Sequence, residues 1–231
     1  MKAFLLAAGK GTRLKPLTEN TPKCLLPIRG MPLLSIWLEL CLRHGIDEVL
    51  INVHAHPEAV RRYLITAQKG IRVKTFEERV LLGSAGTVAA NRDWLSQEKL
   101  FWILYADVLT NMNLRALLDF HMARQTAATL AVYRVPDPSR CGIVTLNQQG
   151  LVTSFVEKPP MPSSNLAFAG VLIGTHQLLE EIPNSVPADF GFDVLSRMVN
   201  KMSAYEVSDY LLDIGTVSNY RQAQATWPGL S

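Results

Sequence analysis

From Lys2 to Gln125 one pattern repeats: a short apolar run, a polar or glycine-bearing break, then a longer stretch with apolar residues three and four apart. The short runs fall at 2–7, 48–53, 71–76 and 101–105, and the helical stretches at 31–44, 57–68, 87–95 and 114–125. In the first stretch Leu33, Trp37, Leu40 and Cys41 share a face, with Pro32 near its start and Gly45 after it. In the second, Val60, Tyr63, Leu64 and Ala67 point one way, and Lys69-Gly70 stops it. Strand alternating with helix is the pattern of βαβ units, which leave their strands parallel and buried on both faces.

After Ala127 the period changes. Ala128, Leu130 and Val132 alternate with other residues, and the runs 143–146 and 151–157 meet across Asn147-Gln148-Gln149-Gly150, which predicts a hairpin. A strand at 168–173, a helix at 192–201, a short strand at 211–214 and a closing helix at 218–226 complete the reading. We therefore expect an α/β fold, three-layer α/β/α with a mixed, mainly parallel sheet. Residues 1–231 form one expected domain, since no internal repeat or linker-like shift interrupts them.

Composition narrows the function classes. With 48% apolar and 19% charged residues the chain can fill a core and is not a solvated tail. Cys24, Cys41 and Cys141 are odd in number and scattered, which fits a reducing compartment and a cytoplasmic protein. No apolar run is long enough to span a membrane, and the N-terminal segment turns polar too soon for a signal peptide, so no membrane partner is expected. The net charge of +3, without a basic block, favours small anionic ligands over nucleic acid.

The first strand empties into Leu6, Ala7, Ala8, Gly9, Lys10, Gly11, Thr12, Arg13 and Leu14. A loop beyond the carboxyl end of a parallel strand lines the ligand crevice, and glycines there let backbone N–H groups approach phosphate oxygens. Two familiar glycine loops are excluded. A Walker loop needs Gly where Phe4 stands and Ser or Thr where Gly11 stands. The dinucleotide fingerprint needs a small residue at Leu14 and an acid near Arg29, and their absence weakens the reading as a nicotinamide-dependent oxidoreductase, which failure to bind nicotinamide cofactors would remove.

The remaining string, Gly9-x-Gly11-Thr12-Arg13-Leu14-x-Pro16-Leu17-Thr18 followed by Pro22-Lys23, resembles the signature of the sugar-1-phosphate nucleotidyltransferases, or nucleoside diphosphate sugar pyrophosphorylases. The likeness continues through 82–87, 106–110, 136–144, Phe155-Val156-Glu157-Lys158-Pro159, Phe168-Ala169-Gly170-Val171 and Leu212-Asp213-Ile214-Gly215-Thr216, and so covers essentially the whole chain. It implies a Rossmann-like nucleotidyltransferase fold, here the catalytic domain alone, without the β-helix appended in many relatives. The implied reaction joins a nucleoside triphosphate (NTP) and a sugar-1-phosphate, giving a nucleotide-sugar and pyrophosphate.

Two anions must meet in that reaction, so cations are required. The resemblance implies that Arg13 and Lys23 stabilise the triphosphate and, with Asp107, are catalytic. It implies that Asp107 and Asp213 hold a Mg²⁺ or Mn²⁺ ion. Leu6, Ala7, Ala8, Gly9, Gly11, Thr12, Arg13, Lys23, Gly83 and Gly86 would bind the nucleotide, the last two at the base. Gly142, Glu157, Lys158 and Gly170 would bind the sugar phosphate. Taken singly, the cations read as surface charges and the aspartates as turn or cap residues; the shared motifs reverse that. His54 and His56 lack a third ligand for zinc, and Cys24 lacks a visible base, so neither joins the set.

Leu-Gly-Ser-Ala-Gly at 82–86 and Pro-Asp-Pro-Ser-Arg-Cys-Gly at 136–142 look most like the mannose-1-phosphate guanylyltransferases, which makes GTP and mannose-1-phosphate the expected substrates. N-acetylmuramate, heptose and glucose phosphates are the rivals, as is a non-catalytic nucleotide-sugar sensor. Ala106, Cys141 and Phe168 stand where many members carry Gly, Tyr or Phe, and Asn, respectively. A homodimer is compatible with this reading.

Overall fold

A computed structural model describes residues 1–67 and 70–230. In chain order its first half runs β1 (Lys2–Leu6), β2 (Pro27–Ile28), β3 (Met31–Pro32), α1 (Leu33–Arg43), β4 (Glu48–Val53), α2 (Pro57–Ala67), β5 (Arg72–Glu77), α3 (Ser84–Ala90), β6 (Phe101–Tyr105), β7 (Val108–Thr110) and α4 (Leu114–Arg124). Then come β8 (Ala128–Arg134), β9 (Gly142–Leu146), β10 (Val152–Glu157), β11 (Leu166–Gly174), α5 (His176–Glu180), β12 (Met202–Glu206), β13 (Leu211–Asp213) and α6 (Val217–Thr226). Strand and helix alternate as expected, and the strand pairing is mixed. None of the described helices is long and apolar enough to cross a membrane.

The contacts divide the chain into two compact units, one of 1–81, 104–113 and 209–231, the other of 82–103 and 114–208. In the first, β4 lies between β1 and β5, parallel to both, with Lys2 opposite Glu48 and Glu48 opposite Arg72. Ala3, Phe4, Leu5, Val49, Leu50 and Ile51 are completely buried, the continuous apolar signature of a doubly covered parallel strand. β5 instead exposes Arg72 and Lys74, charges that blunt a sheet edge. Helix α1 buries Leu33, Leu34, Ile36, Trp37, Leu40 and Cys41. From it the Trp37 indole N–H donates to the carbonyl of Val108 at 2.8 Å, tying β7 down. β7 pairs antiparallel with β13, setting Asp213 opposite Val108.

In the second unit β8 is antiparallel to β11 and parallel to β12. β9 pairs antiparallel with β10 and β11. The β9–β10 hairpin is the expected one, and Asn147 Oδ1 closes its turn by accepting from the backbone N–H groups of Gln149 and Leu151, both at 3.0 Å. The β11 register breaks between Phe168 and Leu172, at a bulge containing Gly170, whose φ of +71° is the left-handed conformation glycine adopts without strain.

Two expected helices change. The segment expected as one helix over 192–201 is a π turn at Phe190–Val194 followed by a 3₁₀ turn at Leu195–Met198. Asp189 explains it, because its Oδ1 accepts from Gly191 N at 2.8 Å and Phe192 N at 3.4 Å and draws the chain into a wide turn. The helix expected from Thr87 starts at Ser84 and ends at Ala90, with a separate 3₁₀ turn at Arg92–Leu95. Helix α2 is described to Ala67, so its expected end at Gln68 and Lys69 lies outside the described residues.

Candidate active site

In the first unit the glycine loop begins where β1 ends. Ala7 N–H donates to Asn52 Oδ1 at 2.6 Å, and the Asn52 amide donates onward to Glu78 Oε1 at 2.8 Å, so a buried polar pair, Asn52 on β4 and Glu78 just past β5, fixes the loop's root. Gly11 has φ +64°, and a Cβ there would lie 2.9 Å from Thr18 Cγ2. Thr18 Oγ1 donates to the Gly11 carbonyl at 2.7 Å, folding the 11–18 segment back on itself. Gly9 has no protein atom within 4 Å of where a Cβ would stand, so its backbone is open to a ligand. Thr12, Arg13 and Leu14 form a 3₁₀ turn that exposes Thr12 and Arg13 while burying Leu14.

Lys23 opens a second 3₁₀ turn, and its ammonium lies 2.9 Å from Asp107 Oδ2. The lysine side chain is 10% exposed and the aspartate 42%, so the cation is held and the carboxylate keeps a solvent-facing side. Asp107 lies between β6 and β7, and its carbonyl accepts from Ile214 N at 2.8 Å, just beyond Asp213. The ladder and this bond bring both aspartates to one end of the β7–β13 pair. A Cβ on Gly215 would come within 2.8 Å of Asp213 Oδ1 and 2.9 Å of Arg13 Nη2, so guanidinium and carboxylate both lie over that glycine. The unit thus gathers Arg13, Lys23, Asp107 and Asp213.

Two carboxylates are hard oxygen donors of the kind Mg²⁺ or Mn²⁺ takes. Among the described residues no group of three or more His, Cys, Asp or Glu side chains is poised to hold a metal. Asp107 and Asp213 are the one or two carboxylates by which Mg²⁺ is commonly bound, with substrate phosphates and water completing the octahedron. His54 Nδ1 is 2.8 Å from the Glu78 carbonyl, a structural contact. Cys24 is buried, and burial pushes its thiol up to about 12, which leaves it a packing residue.

In the second unit Glu157 ends β10 with its carboxylate between two glycines. A Cβ on Gly142 would meet Oε2 at 2.7 Å, and one on Gly191 would meet it at 2.5 Å. Burial raises the Glu157 pKa, opposed by Lys158, whose ammonium is 3.5 Å from Oε1. Lys158 sits at φ +48°, its N–H donates to the Cys141 carbonyl at 2.9 Å, and its ammonium lies 5.3 Å from the Phe192 ring centroid. Gly142, Glu157 and Lys158 are therefore together. Gly170 stands in the β11 bulge.

Gly83, at φ +78°, caps α3, and a Cβ there would lie 2.2 Å from the Ala188 carbonyl oxygen. That oxygen accepts from Ala85 N at 2.9 Å and Gly86 N at 3.0 Å. The smallness of Gly83 and Gly86 is used in close packing on the 186–188 backbone. Asp189 extends the junction, accepting from the Ser84 hydroxyl at 2.8 Å, while Ser84 Oγ accepts from Phe190 N at 2.9 Å. Reasoning from sequence missed Asp189, Gly191 and the Asn52–Glu78 pair. The run Asp-Phe-Gly at 189–191 and an Asn closing an apolar strand were the available signals.

Comparison with known proteins places the chain in a family. A family model described as nucleotidyl transferase matches residues 2–228. The mannose-1-phosphate guanylyltransferase catalytic subunit beta of Dictyostelium discoideum is 30% identical over 95% of this chain and 62% of its own length. The UTP–glucose-1-phosphate uridylyltransferase of Synechocystis is 31% identical over 96% of this chain and 62% of its own. A mannose-1-phosphate guanyltransferase of Schizosaccharomyces pombe is 32% identical over 95% and 62%. The chain thus spans about three fifths of the length of these relatives. Among solved structures, UDP-glucose pyrophosphorylase from Acinetobacter baumannii superposes with a TM-score of 0.84 at 21% identity, covering 96% of this chain and 91% of that one. HddC from Yersinia pseudotuberculosis superposes at 0.83 and 21%, covering 98% and 99%. The α/β architecture is the Rossmann-like one of these structures, with a mixed sheet, and the chain belongs to the nucleotidyl transferase family.

Proposed function

We propose that the protein transfers a nucleoside monophosphate from an NTP to a sugar-1-phosphate, with GTP and mannose-1-phosphate as the preferred pair. An oxygen of the sugar phosphate attacks the α-phosphorus, the bond from that phosphorus to the bridging oxygen breaks, and pyrophosphate leaves with the electron pair. The observation that carries this reading is the Lys23–Asp107 pair: a restrained ammonium beside a half-exposed carboxylate, in the same unit as the open glycine loop.

Backbone N–H groups from Leu6 to Thr12 cradle the triphosphate, with Gly9 giving close approach. Arg13 takes up charge on the pyrophosphate side, and Lys23 neutralises the oxygens of the reacting phosphate. Asp107 and Asp213 would hold a Mg²⁺ or Mn²⁺, whose chemistry when bound is to neutralise phosphate oxygens. Glu157, fixed by its two glycines, accepts hydrogen bonds from sugar hydroxyls, and Lys158 binds the sugar phosphate, with Gly142 and Gly170 leaving room for the ring. Gly83 and Gly86 serve the base. The odd number and scatter of Cys24, Cys41 and Cys141 support a cytoplasmic setting, and a homodimer is compatible with it.

Two of the relatives above are named for mannose-1-phosphate, which supports the GTP reading. The Synechocystis relative, named for UTP and glucose-1-phosphate, favours a second reading with that pair. Pyrophosphate release from each of GTP, UTP, ATP, CTP and dTTP against mannose-, glucose-, heptose- and N-acetylmuramate-1-phosphates tests both. The highest kcat/KM is expected for GTP with mannose-1-phosphate. A maximum for UTP with glucose-1-phosphate selects the second reading, and no release from any pair leaves a nucleotide-sugar sensor.

A further inference from the structure

Helix α4 carries His121, a side chain that the proposed chemistry does not use and that is 2% exposed. Its Nδ1 lies 2.8 Å from Thr129 Oγ1, which is 2.9 Å from Ser203 Oγ, which is 3.0 Å from Thr126 Oγ1. Proton accounting fixes every direction in this chain. Thr126 has one hydroxyl hydrogen and donates it to the Ala128 carbonyl at 2.9 Å, because a carbonyl can only accept. Ser203 must then donate to Thr126, and Thr129 must donate to Ser203. Thr129 has no hydrogen left, so His121 Nδ1 carries the proton and donates it. Nε2 is left as a bare acceptor.

Nε2 has no hydrogen-bond partner among the described residues, yet none of their side-chain nitrogens or oxygens is both sealed from solvent and without a partner. The lone pair therefore faces accessible space. That space is a cavity of about 460 Å³ lined by His121 and His176 together with Lys99, Leu100, Met122, Gln125 and Gln177 among others. Burial lowers the His121 pKa, which keeps the ring neutral and its lone pair available near neutral pH.

The lining selects the ligand. A phosphate dianion is disfavoured at Nε2, since lone pair would face lone pair, and Lys99 is the one ammonium present. A stacked base is disfavoured because the only aromatic rings of the lining are the imidazoles of His176 and the nearly buried His121, with no Phe, Tyr or Trp face. A metal is disfavoured because no three ligating side chains converge among the described residues. The Gln125 and Gln177 amides each offer donors and an acceptor and have no side-chain partner among the described residues, and Leu100 and Met122 supply apolar surface. Several hydroxyls on a compact carbon frame match that mixture. We propose that this cavity, in the second unit, is a binding site for a neutral polyhydroxylated molecule of monosaccharide size, one of whose hydroxyls donates to His121 Nε2.

The test uses the full chain labelled with ¹⁵N-histidine and free mannose as the probe, free glucose being run in parallel. Long-range ¹H–¹⁵N spectra should show His121 protonated on Nδ1 alone, and its Nε2 resonance should move saturably with sugar, with Kd on the order of 1 mM. Met122→Trp, at an exposed position on the lining, should abolish the shift while leaving the Nδ1–H signal in place. Lys23→Met should leave the titration unchanged, so the outcome is independent of whether nucleotidyl transfer occurs. A ring protonated on Nε2, no saturable shift with either sugar, or a shift that persists in Met122→Trp overturns the proposal.

Discussion

The Lys23 ammonium and Asp107 Oδ2 lie 2.9 Å apart although 84 residues separate them in sequence. The lysine gains little stability from this, since the carboxylate is 42% exposed and remains hydrated without a partner. Its value is positional: the pair fixes an ammonium beside the aspartates of the β7–β13 end. Lys23→Met should therefore cost about 1 kcal/mol of stability or less and lower kcat by about 10²-fold or more. Thermal melting beside steady-state kinetics separates the two; a large melting shift with proportionate activity would make the pair structural.

Gly215 sets the spacing of two other members of the group. The contacts a Cβ would make, at 2.8 and 2.9 Å, are with the far ends of the Asp213 and Arg13 side chains, which can swing aside. Gly215→Ala should melt near the wild type yet lose about 10-fold or more in kcat/KM through misplacement of both charges. Equal kinetics in the variant would mean that Arg13 and Asp213 act independently of their shared position.

Gly83→Ala should have the opposite profile. Its φ of +78° and the Ala188 carbonyl 2.2 Å from the new Cβ oppose the change together, and backbone cannot move aside cheaply. Destabilisation of about 3 kcal/mol or more is expected, measured by urea unfolding. A loss below 1 kcal/mol, roughly the scale of an unstrained surface substitution, would contradict the packing described for α3.

How much of this was legible in the sequence follows the range of the interactions. Buried parallel strands such as β1 and β4 announce themselves by unbroken apolar runs, and the hairpin after Leu146 by its turn residues, because both signals are local. The segment after Asp189 misled, since its apolar spacing suits a helix while a single aspartate cap winds it into a π turn. β12, Met202–Glu206, carries little alternation and is a strand because β8 lies beside it. The aspartates, Arg13 and Lys23 were legible through motifs. The clamp on Glu157 was not, because Gly142, Glu157 and Gly191 meet only in three dimensions.

The clamp on Glu157 has a pH signature. Burial raises its folded-state pKa, so in the window between the ordinary carboxylate value and that raised value the folded protein holds a proton the unfolded chain has lost. Its contribution to stability therefore falls as pH rises through this window. Glu157→Gln removes the titration, and the difference in melting temperature, variant minus wild type, should grow from pH 4 towards neutrality. A difference that shrinks over the same range would mean that the Lys158 attraction outweighs burial.

Asp107 offers the most direct test of the central claim, that fixed charges around Asp107 bring two phosphates together for exchange of a phosphorus–oxygen bond. Asp107→Asn keeps the side chain's shape and an oxygen for Lys23, and removes only the charge. Pyrophosphate release with Mg²⁺, GTP and mannose-1-phosphate, or with whichever pair the wild type turns over best, should fall by about 10²-fold or more with the melting temperature nearly unchanged. Turnover within a few-fold of the wild type would contradict the account.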